Sequence, residues 1–174
     1  MFEIELKAFI PKNELKEILK LANQKFKFIK EEIKDDTYYC NTEKIIRIRK
    51  FNTSEEIVTF KTKFLENDIE INKEIEFKVD QIKNFISFLE EMNFKFLYKK
   101  TKKSLIYKKE NLNIEINEIE NLGFFLEIEK IIYDKNELNL AKTEIYKTIK
   151  EFKLQNNIEK KSYFELILAN QSKV

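Results

Sequence analysis

The sequence predicts an α+β fold built on an antiparallel sheet of roughly eight or more short strands, large enough to curl or close, with a few helices beside it. Three observations lead there. Most apolar residues recur at every second position, the period of a strand with one buried face. Only a few segments change to the three-to-four spacing of a helix. The polar faces of the strands sort by sign, with acidic pairs and basic pairs at i, i+2.

Residues 2–10 alternate strictly, Phe2, Ile4, Leu6, Ala8 and Ile10 opposite Glu3, Glu5 and Lys7, and Pro11 ends the strand. From Lys12 to Gln24 the stripe Leu15, Ile18, Leu19, Ala22 predicts a helix, with Pro11 and Asn13 as start signals. Strands follow at Phe26 to Ile33, at a separate short stretch Asp36–Tyr39, at Ile46 and Ile48 alternating with Arg47 and Arg49, and at Val58 and Phe60 alternating with Thr59 and Lys61. Glu66-Asn67-Asp68 reads as a turn or a longer loop. Ile75, Phe77 and Val79 then alternate with Glu74, Glu76 and Lys78, and Asp80 is placed to cap a helix whose face is Ile82, Phe85, Ile86 and Leu89, running to about Met92. The second half brings a basic strand region from Phe94 to about Lys109, a strand with Leu112, Ile114 and Ile116 opposite Asn113, Glu115 and Asn117, and another with Leu126 and Ile128 opposite Glu127 and Glu129. A helix from about Glu137 to Phe152 and a short one around Tyr163, Leu166 and Ile167 complete the reading. No linker or low-complexity tract interrupts the pattern, so a single domain over residues 1–174 is expected.

Composition removes several mechanisms. The chain has one Gly, one Pro, one Cys and no His. A phosphate-cradling P-loop needs two glycines and a dinucleotide fingerprint three, so neither backbone device is available. Without histidine there is no Ser-His-Asp or Cys-His nucleophile pair, no two-His iron site and no Cys/His zinc finger. Chemistry falls to carboxylates, amines, guanidinium groups, hydroxyls or a hard metal. The lone Cys40 permits no internal disulfide and fits a reducing compartment. Charges interrupt every apolar run well short of about 18 residues and no leader pattern is visible, which predicts a cytoplasmic protein without a membrane segment. With 33 Lys+Arg against 31 Asp+Glu the net charge is +2, too balanced for a nucleic-acid binder. A homodimer is compatible with the sequence but not required by it.

The charge pairs are informative in combination. Glu3/Glu5, Glu74/Glu76 and Glu127/Glu129 are acidic, Arg47/Arg49 and Lys100/Lys102 basic. Like charges two apart lie about 6.6 Å apart on one side of a strand and repel unless opposite charge intervenes. For any single strand a solvated face in a Lys- and Glu-rich chain stays open as the plainer reading. Taken together, the faces suit a closed barrel with charged rows turned inward. Arg and Lys rows match linked phosphates, and carboxylate pairs match Mg²⁺ or Mn²⁺, hard cations that bridge to substrate phosphates.

Glu3-Ile4-Glu5-Leu6-Lys7 resembles the ExExK signature of the CYTH family, the triphosphate tunnel metalloenzymes that include class IV adenylyl cyclases and thiamine triphosphatases. Further segments arrive in family order. Asp36-Thr37-Tyr38-Tyr39 resembles the DxYF element, Ile46-Arg47-Ile48-Arg49 the LRIR strand, Thr59-Phe60-Lys61 the lysine strand, and Glu74-Ile75-Glu76 the ExE strand. Lys100-Thr101-Lys102 is similar to the K-x-R element. Asn117 through Leu122-Gly123-Phe124-Phe125-Leu126-Glu127-Ile128-Glu129 is similar to D-x-V-x-x-LG-x-F-x-E-I-E, and Ser162-Tyr163-Phe164-Glu165-Leu166 to the SYxEL terminus of the bacterial and archaeal cyclase-like branch.

This resemblance implies an eight-stranded antiparallel tunnel with a charged lumen and surface helices. It implies Mg²⁺ or Mn²⁺ held by Glu3, Glu5, Glu127 and Glu129, with Asn117 or Glu115 as a further ligand. Lys7, Arg47, Arg49, Lys61, Lys100 and Lys102 would hold the triphosphate, Glu74 and Glu76 would be further lumen acids, and Glu3, Glu5 and Lys7 form the catalytic set. Lys7, Lys61 and Glu74 also fit a lumen charge-balancing role. Three positions depart from the family pattern: Asn117 replaces the usual Asp, Lys102 the usual Arg, and Asn72 an Arg often found there. The implied partner is a nucleoside or inorganic triphosphate. The implied activity is adenylyl cyclase-like, ATP to cyclic AMP and pyrophosphate, with inorganic or thiamine triphosphate hydrolysis as the alternative and a non-catalytic triphosphate-binding module as a further one.

Overall fold

Alternation along the first strand decides which side of the sheet meets the helices. In the computed structural model, which describes residues 1–42, 44–52, 55–66 and 68–171, the chain runs β1 (Phe2–Ile10), α1 (Leu15–Lys25), β2 (Lys27–Cys40), β3 (Ile45–Phe51), β4 (Glu56–Glu66), β5 (Ile69–Lys78), α2 (Ile82–Glu91), β6 (Lys95–Lys109), β7 (Leu112–Ile119), β8 (Gly123–Ile132), α3 (Leu138–Glu151) and α4 (Tyr163–Gln171). The strands close into an antiparallel barrel in the order β1-β5-β4-β3-β2-β6-β7-β8, giving the expected α+β fold. Among the described residues no helix is long and apolar enough to cross a membrane.

The hydrophobic core lies outside the barrel, between its wall and the helices. Ile4, Leu6, Ala8 and Ile10 of β1 cluster with Ile114, Ile116, Leu126 and Ile128 of β7 and β8, with Ile18 and Ala22 of α1, and with Ala141, Ile145 and Ile149 of α3. Burying each large aliphatic side chain is worth about 1.5–3 kcal/mol, so this layer fixes which strand face turns out. A second cluster, Tyr39, Ile48, Val58, Leu89 and Phe94, covers β2–β4 where α2 packs. The alternate residues, mostly charged, then have only the lumen to face.

Several local expectations change. The two strands read at 26–33 and 36–39 are one, β2, bent at irregularities between Phe28 and Lys30 and between Tyr38 and Tyr39 where it pairs with β6. Its middle carries charge on both faces, Glu32, Lys34 and Asp36 buried against Glu31 and Asp35 exposed, so no apolar alternation marks it. β5 starts at Ile69, earlier than Glu74. The expected turn falls partly on Asn67, outside the described residues. Helix α1 begins after a turn in which Glu14 N–H donates to Pro11 O at 2.8 Å, and α2 is preceded by Gln81 without a side-chain cap, so Asn13 and Asp80 do not cap. Gly123 has φ of +104° at the start of β8, a conformation that L side chains rarely adopt.

Among the described residues β5 pairs with β1 only at Glu3, Ile4 and Glu5. Beyond that point the segment before α4 takes over the same edge: Phe9 N–H donates to Asn157 O, Glu159 N–H donates to Lys7 O, and Ala8 bridges Ile158. This strap delivers Tyr163 and Phe164 to the lumen.

Candidate functional site

The inward faces enclose a cavity of about 390 Å³. Period two puts Glu3, Glu5 and Lys7 of β1, Arg47 and Arg49 of β3, Lys61 of β4, Glu74 and Glu76 of β5, Lys100 and Lys102 of β6, Glu115 of β7, and Glu127 and Glu129 of β8 on its wall. Register sets their neighbours. Glu5 stands opposite Glu129, Lys7 opposite Glu127, and Glu115 opposite Glu127. Asn117 is fully buried beside this wall and donates Nδ2–H to Glu127 Oε2 at 2.8 Å.

The acids divide by whether they have a cation. Asp36 accepts from Arg49 Nε at 2.7 Å and Nη2 at 2.9 Å; burial would raise its carboxyl, but Arg49 and Lys100 outweigh that and hold it far below the usual range. Glu115 is likewise desolvated yet held at about 2 by Lys102 and Lys34. Lys61 serves Glu74, Glu3 and Glu5 at 3.0, 3.3 and 3.5 Å, and Arg47 meets Glu76 at 3.3 Å. Glu129 is different: among the described residues it makes no ion pair within 4 Å. Burial, then Glu3, Glu115 and Glu5, push its carboxyl well up. Burial also lifts Glu5, to about 7, with Glu127, Glu70 and Glu3 adding to the effect and Lys61 opposing it.

Glu5, Glu127 and Glu129 bring one carboxylate oxygen each within 4.8 Å of one another. Two Mg–O bonds of about 2.1 Å laid end to end span about 4.2 Å, so any shortfall is at most about 0.6 Å, which small side-chain rotations close. An all-oxygen set carrying excess negative charge fits a hard divalent cation. Asn117 Oδ1, buried and without a hydrogen-bond partner, is a further oxygen beside Glu127.

Two of the lumen cations, Lys7 and Lys100, meet where α4 begins. Lys7 has no carboxylate within 4 Å among the described residues; its Nζ donates to Lys161 O at 2.6 Å and lies 4.6 Å from the centre of the Tyr163 ring. Lys100 Nζ lies 4.5 Å from the same ring and 3.5 Å from Asp36. Arg47 donates from Nη2 to Thr59 Oγ1 at 2.9 Å, and its Nε is buried without a partner. The Tyr163 hydroxyl is buried and unpartnered, and burial followed by the nearby Glu127 charge raises its phenol. Beside it, Tyr38, Tyr98 and Phe164 stack with ring centres 4.4 and 4.6 Å apart.

Sequence reasoning assigned no role to several lining residues. Lys34 lies four residues before Tyr38 on the same face of β2, Lys63 extends the row of Lys61, and Glu70 extends that of Glu74 and Glu76, while Asp36 and Asn72 are buried on the same rows. Continuing each row by two would have found them. Asn72 is fully buried with both amide atoms unpartnered, at the register position opposite Glu3.

A closed antiparallel barrel whose lumen is walled by opposing acidic and basic rows defines a charged-tunnel protein. The family profile for the CYTH domain matches residues 1–163, and the chain belongs to that family, the triphosphate tunnel metalloenzymes. A protein of Methanocaldococcus jannaschii named "putative adenylate cyclase" is 33% identical over 95% of this chain and 98% of its own length. A solved protein from Pyrococcus horikoshii superposes with a TM-score of 0.84 at 28% identity, covering 97% of this chain and 99% of that one. A "putative adenylate cyclase" from Vibrio parahaemolyticus shares the fold at a TM-score of 0.79 and 17% identity, covering 96% and 98%.

Proposed function

We propose that the chain is a divalent-metal-dependent enzyme acting on a triphosphate threaded into the lumen, with conversion of ATP to cyclic AMP and pyrophosphate as its reaction. The observation that carries this reading is the division of the cavity: an acidic trio lacking a counter-ion on Glu129 faces Lys7, Arg47 and Lys100, cations still able to meet phosphate oxygens. Arg47 would grip in a fork and the two lysines would add point charge. Glu5, Glu127 and Glu129 would hold the ion, Mg²⁺ or Mn²⁺, which when bound neutralises phosphate charge and polarises the phosphorus. Glu3 and Lys61 would set the field around it.

The aromatic stack of Tyr38, Tyr98 and Phe164 gives the same cavity an apolar edge, which favours a triphosphate carrying an organic ring over the inorganic one. The name of the Methanocaldococcus relative points to ATP. For cyclisation the ribose 3′-oxygen attacks the α-phosphorus, pyrophosphate leaves, and the hydroxyl proton is lost to a base. Hydrolysis would instead place water in line with the terminal phosphorus in the same tunnel.

Incubation with Mg²⁺ or Mn²⁺ and, separately, ATP, thiamine triphosphate and tripolyphosphate tests the proposal. Cyclic AMP and pyrophosphate from ATP are expected. Orthophosphate as the product would replace the cyclase reading with a phosphohydrolase, and tight binding without turnover would leave a binding module.

A further inference from the structure

Two carboxylates face each other across β7 and β8, Glu115 opposite Glu127, at the edge of the proposed metal site. Lys102 Nζ lies 2.8 Å from Glu115 Oε2 and 2.8 Å from Glu127 Oε2. All three side chains are at least nine-tenths buried. An ammonium at hydrogen-bond distance from one oxygen of each acid stands where a cation bridging the two would stand. We propose that Lys102 is the permanent counter-cation of this half of the tunnel, and that the chain therefore binds one divalent ion rather than two and does not use Lys102 to hold phosphate. The inference rests on the reading that the lumen takes a divalent cation, and is independent of which triphosphate is turned over.

Three further contacts support it. The second oxygen of Glu115 is taken by Lys34 Nζ at 2.6 Å, so neither oxygen of that acid is free for a metal. Asn117 donates its amide to the same Glu127 oxygen that Lys102 contacts. That arrangement suits a carboxylate oxygen already committed to donors, and an amide adds no charge to attract another ion. The remaining acids, Glu129 on the same strand as Glu127 and Glu5 on the neighbouring β1, each bring a carboxylate oxygen within 4.8 Å of Glu127, so the trio keeps a cation position that needs neither Glu115 nor Asn117. In a poorly solvated lumen, a divalent ion beside the fixed ammonium would meet strong repulsion. The chemistry of the side chain matters here: a compact ammonium sits between two carboxylates as a metal ion does, whereas a planar guanidinium would spread its donors.

The test counts ions rather than turnover. Mn²⁺ is titrated into the metal-free chain without any triphosphate, and bound ions are counted by equilibrium dialysis with electron paramagnetic resonance of the free ion. The wild-type chain is expected to bind one Mn²⁺. Lys102→Met, which keeps length and apolar stem but removes the charge, is expected to bind two, the second at the freed Glu115 and Glu127 oxygens with the unpartnered Asn117 Oδ1 beside them. Two ions or none in the wild type, or one in a folded Lys102→Met chain, would overturn the inference. If Lys102→Met does not fold, Asn117→Asp decides: it adds a carboxylate but leaves the ammonium, so the count stays at one, and two ions there would overturn the inference. A chain that binds one Mn²⁺, gains a second in Lys102→Met and turns over no triphosphate would refute the proposed function and leave this inference standing.

Discussion

Asp36 illustrates what one lumen residue contributes. It is 1% exposed, takes a two-pronged contact from Arg49 and lies 3.5 Å from Lys100, so it neutralises two cations that have little water of their own. Asp36→Asn should cost about 3–5 kcal/mol at pH 7, the typical penalty for leaving one partner of a buried pair uncompensated. The pH dependence has a definite sign. Arg49 depresses the folded-state pKa of Asp36 below its unfolded value of about 3.9, so its contribution is complete above about pH 4 and is lost as pH falls toward the folded value. Urea unfolding of both chains should show a gap that narrows below pH 4; an unchanged gap would count against this assignment. Glu129 is the opposite case, a half-buried acid with no ion pair among the described residues. Glu129→Gln should leave the metal-free chain at least as stable as wild type while weakening Mn²⁺ binding at least about tenfold. Calorimetric titration alongside thermal melts separates the two effects.

At the scale of elements, α3 and the start of α4 do different work. Ile145 is fully buried against the outer wall of the barrel, and Ile145→Ala should cost about 2–5 kcal/mol without touching the lumen. Tyr163, by contrast, lies under the ammonium groups of Lys7 and Lys100. Tyr163→Leu keeps an apolar side chain but removes the ring and hydroxyl, with each cation–ring contact worth about 0.5–2 kcal/mol. Binding of tripolyphosphate, followed by calorimetry, should change several-fold while the Mn²⁺ count does not. The strands legible in the sequence were those with one apolar face. β1, β7 and β8 pack against helices, so their alternation spells out both their existence and the inward direction of Glu3, Glu5, Glu115, Glu127 and Glu129. β2 was split because Glu31 and Asp35 face solvent opposite buried Glu32 and Asp36, and period two is invisible when both faces carry charge. The basic and acidic rows could be read, but not their pairing: that Lys61 serves three acids, or that Lys102 bridges two, depends on register and on rotamers that no spacing encodes.

For the whole molecule, a ligand that binds only the closed barrel must stabilise it. Mn²⁺ at a hundredfold excess over its Kd should add about 2.7 kcal/mol, which for a chain of this size raises Tm by roughly 5–10 °C. Scanning calorimetry with and without chelator tests this, and a Tm indifferent to metal would exclude a folded-state cation site. The barrel also inverts the usual placement of charge, with its oily layer outside the wall and its ions within, so the lumen acids and bases must be brought together as the ring closes. That closure has a timetable. Of the eight strands β1 is made before the others, yet its partner β8 comes after six intervening strands, and the edge that β5 leaves bare at Lys7 to Phe9 waits longer still, for residues 157–159. Until then the chain carries an unpaired strand edge next to a half-built ring of ions, the state in which wrong strand pairing competes with closure.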